Sequence, residues 1–275
     1  MAQPVVSDAE IARLILGTRD ERRQIPPLTE QDPAFDLAAA YRVTEEVRRL
    51  REDRGERVVG RKIGFTNRTI WDQYGVHAPI WGYVYDTTFQ RLGDPTGRFP
   101  LNALIEPRIE PEIVFRLSRP PTPGLDDEGL LACIGTVAHG FEIVQSLFPG
   151  WRFAAPDTVA AFGLHGALLM GPEVETASMP AEAWRAGLAG FGIELRRDGA
   201  VMDRGTSANV LDGGPLSALR HLVDLLAADP GSPPLRAGDV VSTGTLTRAL
   251  PIASGETWST ALDGVPLPGV TLAFA

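Results

Sequence analysis

The segment Ile105–Leu117, with the sequence IEPRIEPEIVFRL, constrains the fold more than any other stretch of the chain. Its odd positions are apolar or proline, and its even positions from 106 to 112 are all charged. A period of two is the period of a β-strand, because successive side chains of a strand point to opposite faces of a sheet. The segment is therefore predicted to be a strand with one apolar face and one charged face.

Two prolines, Pro107 and Pro111, lie within this pattern. A proline has no backbone N–H, so it cannot donate a hydrogen bond to a neighbouring strand. The middle of a sheet needs such donors on both sides of every strand. The prolines therefore predict an edge strand or a strand with a bulge.

Glu110 and Glu112 would lie on the same face of that strand, with Cα atoms roughly 6.6 Å apart. Glutamate side chains at this spacing can converge on one cation, so the pair is a candidate half of a metal site. The alternative is a solvated strand face whose carboxylates point into water. The spacing by itself favours that alternative.

The overall composition restricts the class of protein. The 275 residues carry a formal charge of −9 and 44% of them are apolar, as in a folded protein with a substantial core, and no basic cluster suits a nucleic acid. No apolar run is long enough for a membrane span, and the first residues lack the layout of a signal peptide. We expect a cytoplasmic protein with no nucleic-acid or membrane partner. The single cysteine, Cys133, is expected to be a core side chain.

Lysine occurs only once, at Lys62, although the chain has 26 basic residues. Every other basic residue is arginine. Arginine stays protonated in proteins, whereas a desolvated lysine can lose its proton, so a role in proton handling or as a compact cation is one reason to retain Lys62. Chance retention of one lysine is the alternative.

Helical patterns dominate the beginning of the chain. Ser7 and Glu10 have capping-box spacing, which predicts a short helix that ends near Gly17. A second helix is predicted from Asp36 to about Gly55. This part of the chain is therefore expected to be helical.

From Val58 onward the pattern changes to short β-type runs separated by Gly, Pro and Asn. Two helices interrupt these runs, at Asp126–Val137 and at Pro215–Ala228. Strands and helices do not alternate as in a doubly wound sheet, so the predicted fold class is α+β with a mixed, folded-over sheet. We expect an N-terminal helical segment, residues 1–57, packed on a main domain, residues 58–275.

A third acid, Glu142, lies in the apolar run FEIV. It is either on the exposed face of a strand or held by a cation. Three carboxylates brought together would repel one another unless a divalent cation neutralised them, and oxygen ligands favour Mg²⁺ or Mn²⁺ over Zn²⁺. The four histidines lack the spacing of metal ligands; His165 is the candidate for a role, although a lone histidine is more often structural.

Several segments taken together resemble the fumarylacetoacetate hydrolase superfamily, and within it the branch of 2-oxopent-4-enoate (2-hydroxypentadienoate) hydratases and 4-oxalocrotonate decarboxylases. They follow the family's order along nearly the whole chain and read DLAAAYRVTEEVRRL, GRKIGFTN, YGVHAPIWGYVYD, IEPRIEPEIVF, FEIVQS, DTVA and LRAGDVVSTGTLT. The resemblance implies the folded-over sheet of that superfamily. It also favours the metal site over the solvated strand face.

The resemblance implies roles for individual residues. Glu110, Glu112 and Glu142 match the family's metal ligands, so a Mg²⁺ or Mn²⁺ cofactor is implied. Lys62 matches the lysine of the family's G-[RK]-K-[IV]-G segment, which lies beside the metal and the substrate. That role would explain why this lysine alone is retained.

Other positions match less closely. Asp86 corresponds approximately to an acidic residue proposed to handle protons, although that position could fall at Thr87. Thr245 in the TGT turn, together with Gly244, matches the substrate side of the site. His165 lies where relatives have a serine-containing loop, so either the substrate differs or His165 supplies the proton relay itself.

The implied function is Mg²⁺-dependent hydration of 2-hydroxy-2,4-dienoates (2-oxo-4-alkenoates) in the meta-cleavage degradation of aromatic compounds, by a homo-oligomer. Three alternatives stay open: a 4-oxalocrotonate-type 2-oxo acid decarboxylase, an acylpyruvate-type carbon–carbon hydrolase, and a non-catalytic partner subunit. Hydration, decarboxylation and carbon–carbon hydrolysis all develop negative charge on the substrate. A cation that binds the carboxylate and carbonyl oxygens of a 2-oxo acid would stabilise that charge. The sequence therefore predicts the residues of the site but not which bond of the substrate is formed or broken.

Overall fold

The computed structural model describes residues 6–68, 71–74, 76–93 and 95–275. The α-helices are α1 (Asp8–Asp20), α2 (Leu28–Gln31), α3 (Leu37–Asp53), α4 (Trp71–Tyr74), α5 (Asp127–Leu131), α6 (Ala155–Ala160), α7 (Ala181–Gly190) and α8 (Pro215–Ala228). The strands are β1 (Val58–Gly64), β2 (Ile80–Tyr85), β3 (Phe89–Arg91), β4 (Thr96–Phe99), β5 (Arg108–Leu117), β6 (Ile134–Val144), β7 (His165–Met170), β8 (Val174–Glu175), β9 (Gly192–Arg197), β10 (Ala200–Thr206), β11 (Val240–Ser242), β12 (Leu250–Pro251), β13 (Thr257–Asp263) and β14 (Thr271–Phe274).

Two mixed sheets form the centre of the fold. Over the described residues, the larger sheet has nine strands in the order β2-β1-β11-β5-β6-β7-β3, with β12 beside β5 and β8 beside β6. The smaller sheet has five strands in the order β10-β9-β13-β14-β4. Helices lie before and between the strands without regular alternation. The predicted α+β class is confirmed.

The core lies on both sides of the larger sheet. Helices α5, α7 and α8 pack on it through a large apolar cluster that includes Ile113, Trp184 and Leu219. The smaller sheet packs on it through a second cluster that joins Phe141 to Trp258. The central strands β5 and β6 are therefore covered on both faces, and polar groups that they carry must find partners inside the protein.

The N-terminal helices begin where the sequence predicts. Ser7 caps α1 in a capping box with Glu10, and the Asp36 side chain accepts the Ala39 N–H at the start of α3. Helix α1 continues past Gly17, and α2 was not predicted. Both long helices pack with residues of α6 in a common apolar cluster, so this part of the chain rests on the later part. None of the helices over the described residues is long and apolar enough to cross a lipid bilayer.

For residues 105–117 the sequence predicted an edge strand or a strand with a bulge, and the edge strand is wrong. The register of β5 against β6 does have an irregularity, but it lies at Arg116 and Leu117, away from the prolines. Strand β5 lies between β11 and β6, in the middle of the larger sheet. Pro111 is tolerated there because β11 pairs only with residues 114–116 of β5 and β12 only with residues 108–109, so Pro111 faces a gap between these two strands. In this gap the Pro111 carbonyl accepts the N–H of Leu246 from a loop, and no ladder requires a donor from the proline.

The predicted helix Asp126–Val137 is correct only for its first part. Asp126 caps α5, but α5 ends at Leu131 and the chain enters β6 at Ile134. The apolar residues at 130, 131, 134 and 137 fit a helix, but β-branched side chains dominate from Ile134 onward and favour a strand. Cys133 is buried between the two elements, as expected.

The parallel pair β1 and β11 approaches closely at Gly60. A Cβ atom at this position would lie 1.9 Å from the Val240 carbonyl oxygen, so a side chain would push β11 away. We predict that Gly60→Ala lowers the free energy of unfolding by about 1–3 kcal/mol in urea denaturation. Gly17→Ala is the matched control, because Gly17 lies in α1 with nothing within 4 Å and alanine favours helices. Unchanged stability of Gly60→Ala would contradict the strand packing described here.

Candidate metal centre

Three glutamates meet on the two central strands. Glu110 and Glu112 lie on β5, and Glu142 lies on β6 directly opposite Glu110 in the strand register. Carboxylate oxygens of the three residues lie within 4.8 Å of one another. Glu112 and Glu142 are 0% exposed, so these carboxylates do not point into bulk water. The structure thus brings together the three acids that the sequence suggested as metal ligands.

One oxygen of Glu112 is held and the other is free. Its Oε2 atom accepts hydrogen bonds from the Ser242 hydroxyl and, at 2.8 Å, from the Gly244 N–H. Gly244 has a φ of +96°, and a Cβ atom there would lie 1.8 Å from Thr66 Oγ1, so only glycine fits. The Oε1 atom of Glu112 has no hydrogen-bond partner among the described residues.

Glu142 shows the same division between its two oxygens. Its Oε1 atom lies 2.7 Å from His165 Nδ1. Its Oε2 atom lies 3.2 Å from Lys62 Nζ in a buried ion pair and has no hydrogen-bond partner among the described residues. Lys62 Nζ itself donates to the Gly163 carbonyl at 3.0 Å. Lys62 is therefore fixed beside the acidic cluster.

The proton equilibria of the cluster follow from burial and charge. Burial, together with the charge of Glu142, raises the pKa of Glu110 to about 7 against the opposing effect of Lys62, and the same causes raise the pKa of Glu112 well above its usual range. Burial also acts on Glu142, but Lys62 and His165 outweigh it and lower its pKa. Burial lowers the pKa of Lys62, but the three carboxylates outweigh it, so the net direction is upward and Lys62 is an ammonium.

These groups fit a hard divalent cation. Among the described residues, the buried oxygens Glu112 Oε1 and Glu142 Oε2 have no hydrogen-bond partner, although Glu142 Oε2 forms an ion pair with Lys62. Glu110 adds a third carboxylate. The raised pKa values of Glu110 and Glu112 show that one ammonium does not balance all three carboxylates in their ionised form, so a further positive charge would favour ionisation and relieve the repulsion. The donor atoms are all oxygens, which Mg²⁺ and Mn²⁺ prefer.

A pocket opens beside the cluster. Lys62, Glu110 and Thr245 are its polar lining residues, and most of the remaining wall is apolar. The other described lining residues are Gly64, Phe65, Ile80, Val144, Trp151, Gly163, Leu164 and Ala249. The pocket therefore offers charged groups at one end and an apolar surface elsewhere.

The two residues predicted to bind substrate differ in position. Thr245 lines the pocket, and its hydroxyl donates to the Thr247 carbonyl at 2.9 Å. Gly244 contributes its N–H to Glu112 and is absent from the described lining. Ser242, which the sequence analysis missed, holds Glu112 and pairs with Lys62 in the register of β1 and β11. It lies next to the TGT turn, but only the strand register shows that its hydroxyl reaches a ligand.

Asp86 does not join the cluster. It lies in the turn after β2, where its carboxylate accepts hydrogen bonds from the Arg57 backbone N–H and from Arg57 Nε, each at 3.0 Å. These bonds hold the pKa of Asp86 below its usual range. The proton-handling role expected for Asp86 therefore has no geometric support, because its carboxylate is engaged away from the described pocket lining. The neighbouring Thr87 bonds to Glu56 and Arg51.

His165 lies behind Glu142 rather than in the pocket. It is 3% exposed and is absent from the described pocket lining. Its ring nitrogens contact Glu142 Oε1 and, at 2.9 Å, Thr88 Oγ1. The expected proton relay from His165 to a substrate would have to pass through Glu142. The structure shows directly that His165 contacts Glu142, a candidate metal ligand.

The curated proteins that are similar to the chain include hydratases and decarboxylases. The chain is 32% identical over 245 residues to 2-hydroxyhexa-2,4-dienoate hydratase of Comamonas testosteroni, covering 88% of this chain and 89% of that protein. It is 32% identical over 260 residues to 2-keto-4-pentenoate hydratase of Burkholderia vietnamiensis, covering 94% and 95%. It is 31% identical over 242 residues to 4-oxalocrotonate decarboxylase of Pseudomonas sp. strain CF600, covering 88% and 87%. No family model matches the chain.

Solved structures give the same picture. The 4-oxalocrotonate decarboxylase of Pseudomonas putida G7, complexed with magnesium and adipate, is similar with a TM-score of 0.86 and 28% identity over 98% of this chain and 97% of that one. Fumarylpyruvate hydrolase of Pseudomonas aeruginosa, in complex with Mn²⁺ and pyruvate, has a TM-score of 0.57 and 14% identity over 78% of this chain and 88% of that one, which shows the fold alone.

The fold is that of the fumarylacetoacetate hydrolase superfamily, and the buried glutamate cluster lies at its centre. The chain belongs to the family of 2-keto-4-pentenoate hydratases and 4-oxalocrotonate decarboxylases. The predicted family and folded-over sheet are thereby confirmed.

The cluster predicts that each carboxylate is needed for cation binding. Glu112→Gln keeps the shape of the side chain but removes one negative charge, so we expect it to weaken Mn²⁺ binding by more than about 100-fold in calorimetric titration. Glu106→Gln is the matched control, because Glu106 is an exposed glutamate just before β5 whose carboxylate bonds the Gly150 N–H. Equal Mn²⁺ affinities of the two variants would remove Glu112 from the ligand set.

Proposed function

We propose that the protein is a metal-dependent hydratase that adds water to 2-hydroxy-2,4-dienoates by way of their 2-oxo-4-alkenoate form. The observation that carries the proposal is a buried cluster of three carboxylates next to one lysine at the charged end of an otherwise apolar pocket. The names of relatives that are similar over nearly their whole length support the same activity.

Glu110, Glu112 and Glu142 are the residues that would hold Mg²⁺ or Mn²⁺. When bound, the cation would supply a Lewis acid for the carboxylate and 2-oxo oxygens of the substrate and would stabilise negative charge on the 2-oxygen. The residues hold those ligands in place: Ser242 and Gly244 orient Glu112, and Lys62 neutralises part of the charge of Glu142.

Lys62 is the residue best placed to act on the substrate. An ammonium has three N–H donors. The Gly163 carbonyl accepts one and Glu142 Oε2 attracts another, which leaves a donor for the pocket that Lys62 lines. Held by these partners, the Lys62 ammonium would stabilise negative charge on the substrate as a cation.

The apolar wall favours hydration over decarboxylation. Phe65, Ile80, Trp151 and Leu164 suit the uncharged carbon chain of a dienoate. 4-Oxalocrotonate carries a second carboxylate, and Lys62 is the only cation among the described lining residues. A second carboxylate would therefore lose its hydration without gaining a counter-charge of its own. The same wall lowers the local polarity around Lys62 and strengthens its interaction with the substrate.

The proposal includes the setting of the enzyme. As the family resemblance implies, we take the protein to be a cytoplasmic homo-oligomer that acts in meta-cleavage degradation of aromatic compounds. Residues 1–57, of which the structure describes 6–57, would be a helical segment packed on a catalytic domain of residues 58–275. A contact between the two parts supports this packing, because the Thr44 hydroxyl of α3 donates to the Val159 carbonyl of α6 at 3.1 Å.

A comparison of two substrates tests the activity. Purified protein with Mg²⁺ is incubated separately with 2-hydroxypenta-2,4-dienoate and with 4-oxalocrotonate, while dienol absorbance and CO₂ are followed. We expect the dienoate to be converted to its 4-hydroxy-2-oxo acid, with little CO₂ from 4-oxalocrotonate. Faster release of CO₂ than hydration would identify a decarboxylase. Absence of turnover with metal bound would identify a non-catalytic subunit.

Lys62→Arg tests the role of the ammonium. Lys62 Nζ lies 3.0 Å from the Gly163 carbonyl oxygen and 3.2 Å from Glu142 Oε2, an arrangement that the larger, planar guanidinium does not reproduce. We expect kcat to fall by more than about 100-fold, whereas Mn²⁺ affinity changes by only a few-fold because the positive charge is kept. Arg57→Lys, at an exposed residue bonded to Asp86, is the control for a basic exchange. Unchanged kcat in Lys62→Arg would make Lys62 a structural residue.

A further inference from the structure

His165 connects the acidic cluster to the turn after β2. Its Nδ1 atom lies 2.7 Å from Glu142 Oε1, and its Nε2 atom lies 2.9 Å from Thr88 Oγ1. Thr88 is itself fixed, since its Oγ1 atom accepts the Tyr85 N–H at 3.2 Å and lies 3.1 Å from the Tyr85 carbonyl oxygen. The imidazole is therefore held by a polar contact at each ring nitrogen.

The donor and the acceptor of the hydrogen bond between His165 and Glu142 can be assigned. Lys62 Nζ, 3.2 Å from the other carboxylate oxygen, favours the ionised form of Glu142. An ionised carboxylate only accepts hydrogen bonds, so the proton between the two residues belongs to His165 Nδ1. His165 thus donates to Oε1 of Glu142 and fixes the plane of that carboxylate.

This bond decides which oxygen of Glu142 is available. Oε1 is occupied by His165, whereas Oε2 has no hydrogen-bond partner among the described residues and lies on the side of Lys62. Glu112 is arranged in the same way, because Ser242 and the Gly244 N–H occupy its Oε2 atom and leave Oε1. Each of these two carboxylates therefore presents one oxygen to the cluster rather than two.

We infer that His165 is a positioning residue that makes Glu142 a single-oxygen ligand and thereby favours Mg²⁺ or Mn²⁺ over Ca²⁺. Small cations such as Mg²⁺ require near-octahedral ligation at short distances, whereas Ca²⁺ accepts more ligands and can bind a carboxylate through one oxygen or both. Residues that hydrogen-bond a metal ligand tune its affinity without touching the metal. This inference rests on the metal centre of the proposed function, and its test needs no turnover.

The test compares cation affinities of purified variants by calorimetric titration with Mn²⁺, Mg²⁺ and Ca²⁺. His165→Ala frees Glu142 Oε1, so we expect Mn²⁺ and Mg²⁺ to bind about 10- to 100-fold more weakly. Ca²⁺ affinity should change by less than about 3-fold, because a freed Oε1 suits two-oxygen binding. The ratio of Mg²⁺ to Ca²⁺ affinity therefore falls, which general loosening of the fold would not produce.

Two further variants distinguish a positioning role of His165 from a role in core packing. His165→Asn keeps an N–H donor near the place of Nδ1, so it should restore Mn²⁺ affinity to within a few-fold of the unmodified chain. His139→Ala is the control, because His139 is equally buried but bonds the Glu112 backbone carbonyl at 3.0 Å and Thr260 Oγ1 at 2.8 Å, not a carboxylate. Its Mn²⁺ affinity should stay within about 3-fold even if the fold is less stable.

Three results would overturn the inference: unchanged Mn²⁺ binding by His165→Ala, no recovery in His165→Asn, or an equal loss in His139→Ala. If His165→Ala does not fold, Thr88→Val removes the anchor of Nε2 instead and should weaken Mn²⁺ binding by about 3- to 10-fold; an unchanged affinity would overturn the inference in the same way. Failure of the unmodified chain to bind Mn²⁺ would instead overturn the metal centre itself.

Discussion

The repulsion among three buried carboxylates governs the architecture of this site. Glu110, Glu112 and Glu142 come within 4.8 Å of one another at the centre of the larger sheet, and the two that are fully buried cannot be screened by water. Such a cluster costs free energy unless positive charge balances it. Lys62 supplies one positive charge beside Glu142 Oε2, and Glu112 Oε1 has no hydrogen-bond partner among the described residues, so a divalent cation at the cluster would supply the rest.

The polar groups around the cluster have separate tasks. Ser242, Gly244 and His165 each bond one carboxylate oxygen, and together they set which oxygens remain free. Lys62 contacts the cluster and lines the pocket, so in the proposed enzyme it would link cation binding to the substrate. The apolar wall would select the part of the substrate that lies away from the charges. Cation binding, ligand orientation and substrate selectivity would thus depend on different side chains.

Local sequence patterns predicted a large part of this arrangement. The period of two around Glu110 and Glu112 placed both on one strand face, and the capping residues Ser7 and Asp36 located two helices. The pattern could not reveal whether the charged face was solvated, because burial depends on the strands and sheet that cover it. The edge-strand prediction failed for the same reason: Pro111 is accepted in a central strand only because β11 and β12 leave a gap beside it.

Contacts between distant residues account for the rest. The register of β5 and β6 places Glu142 opposite Glu110, and the register of β6 and β7 brings His165 close to Glu142. The spacing of residues along the chain predicts neither register. Diffraction from a crystal soaked with Mn²⁺ and oxalate, using the anomalous signal of manganese, tests the central claim most directly. One anomalous peak bonded to oxygens of the three glutamates, with oxalate on the side of Lys62, is the predicted result. Manganese bound elsewhere, with none at the glutamates, would contradict it.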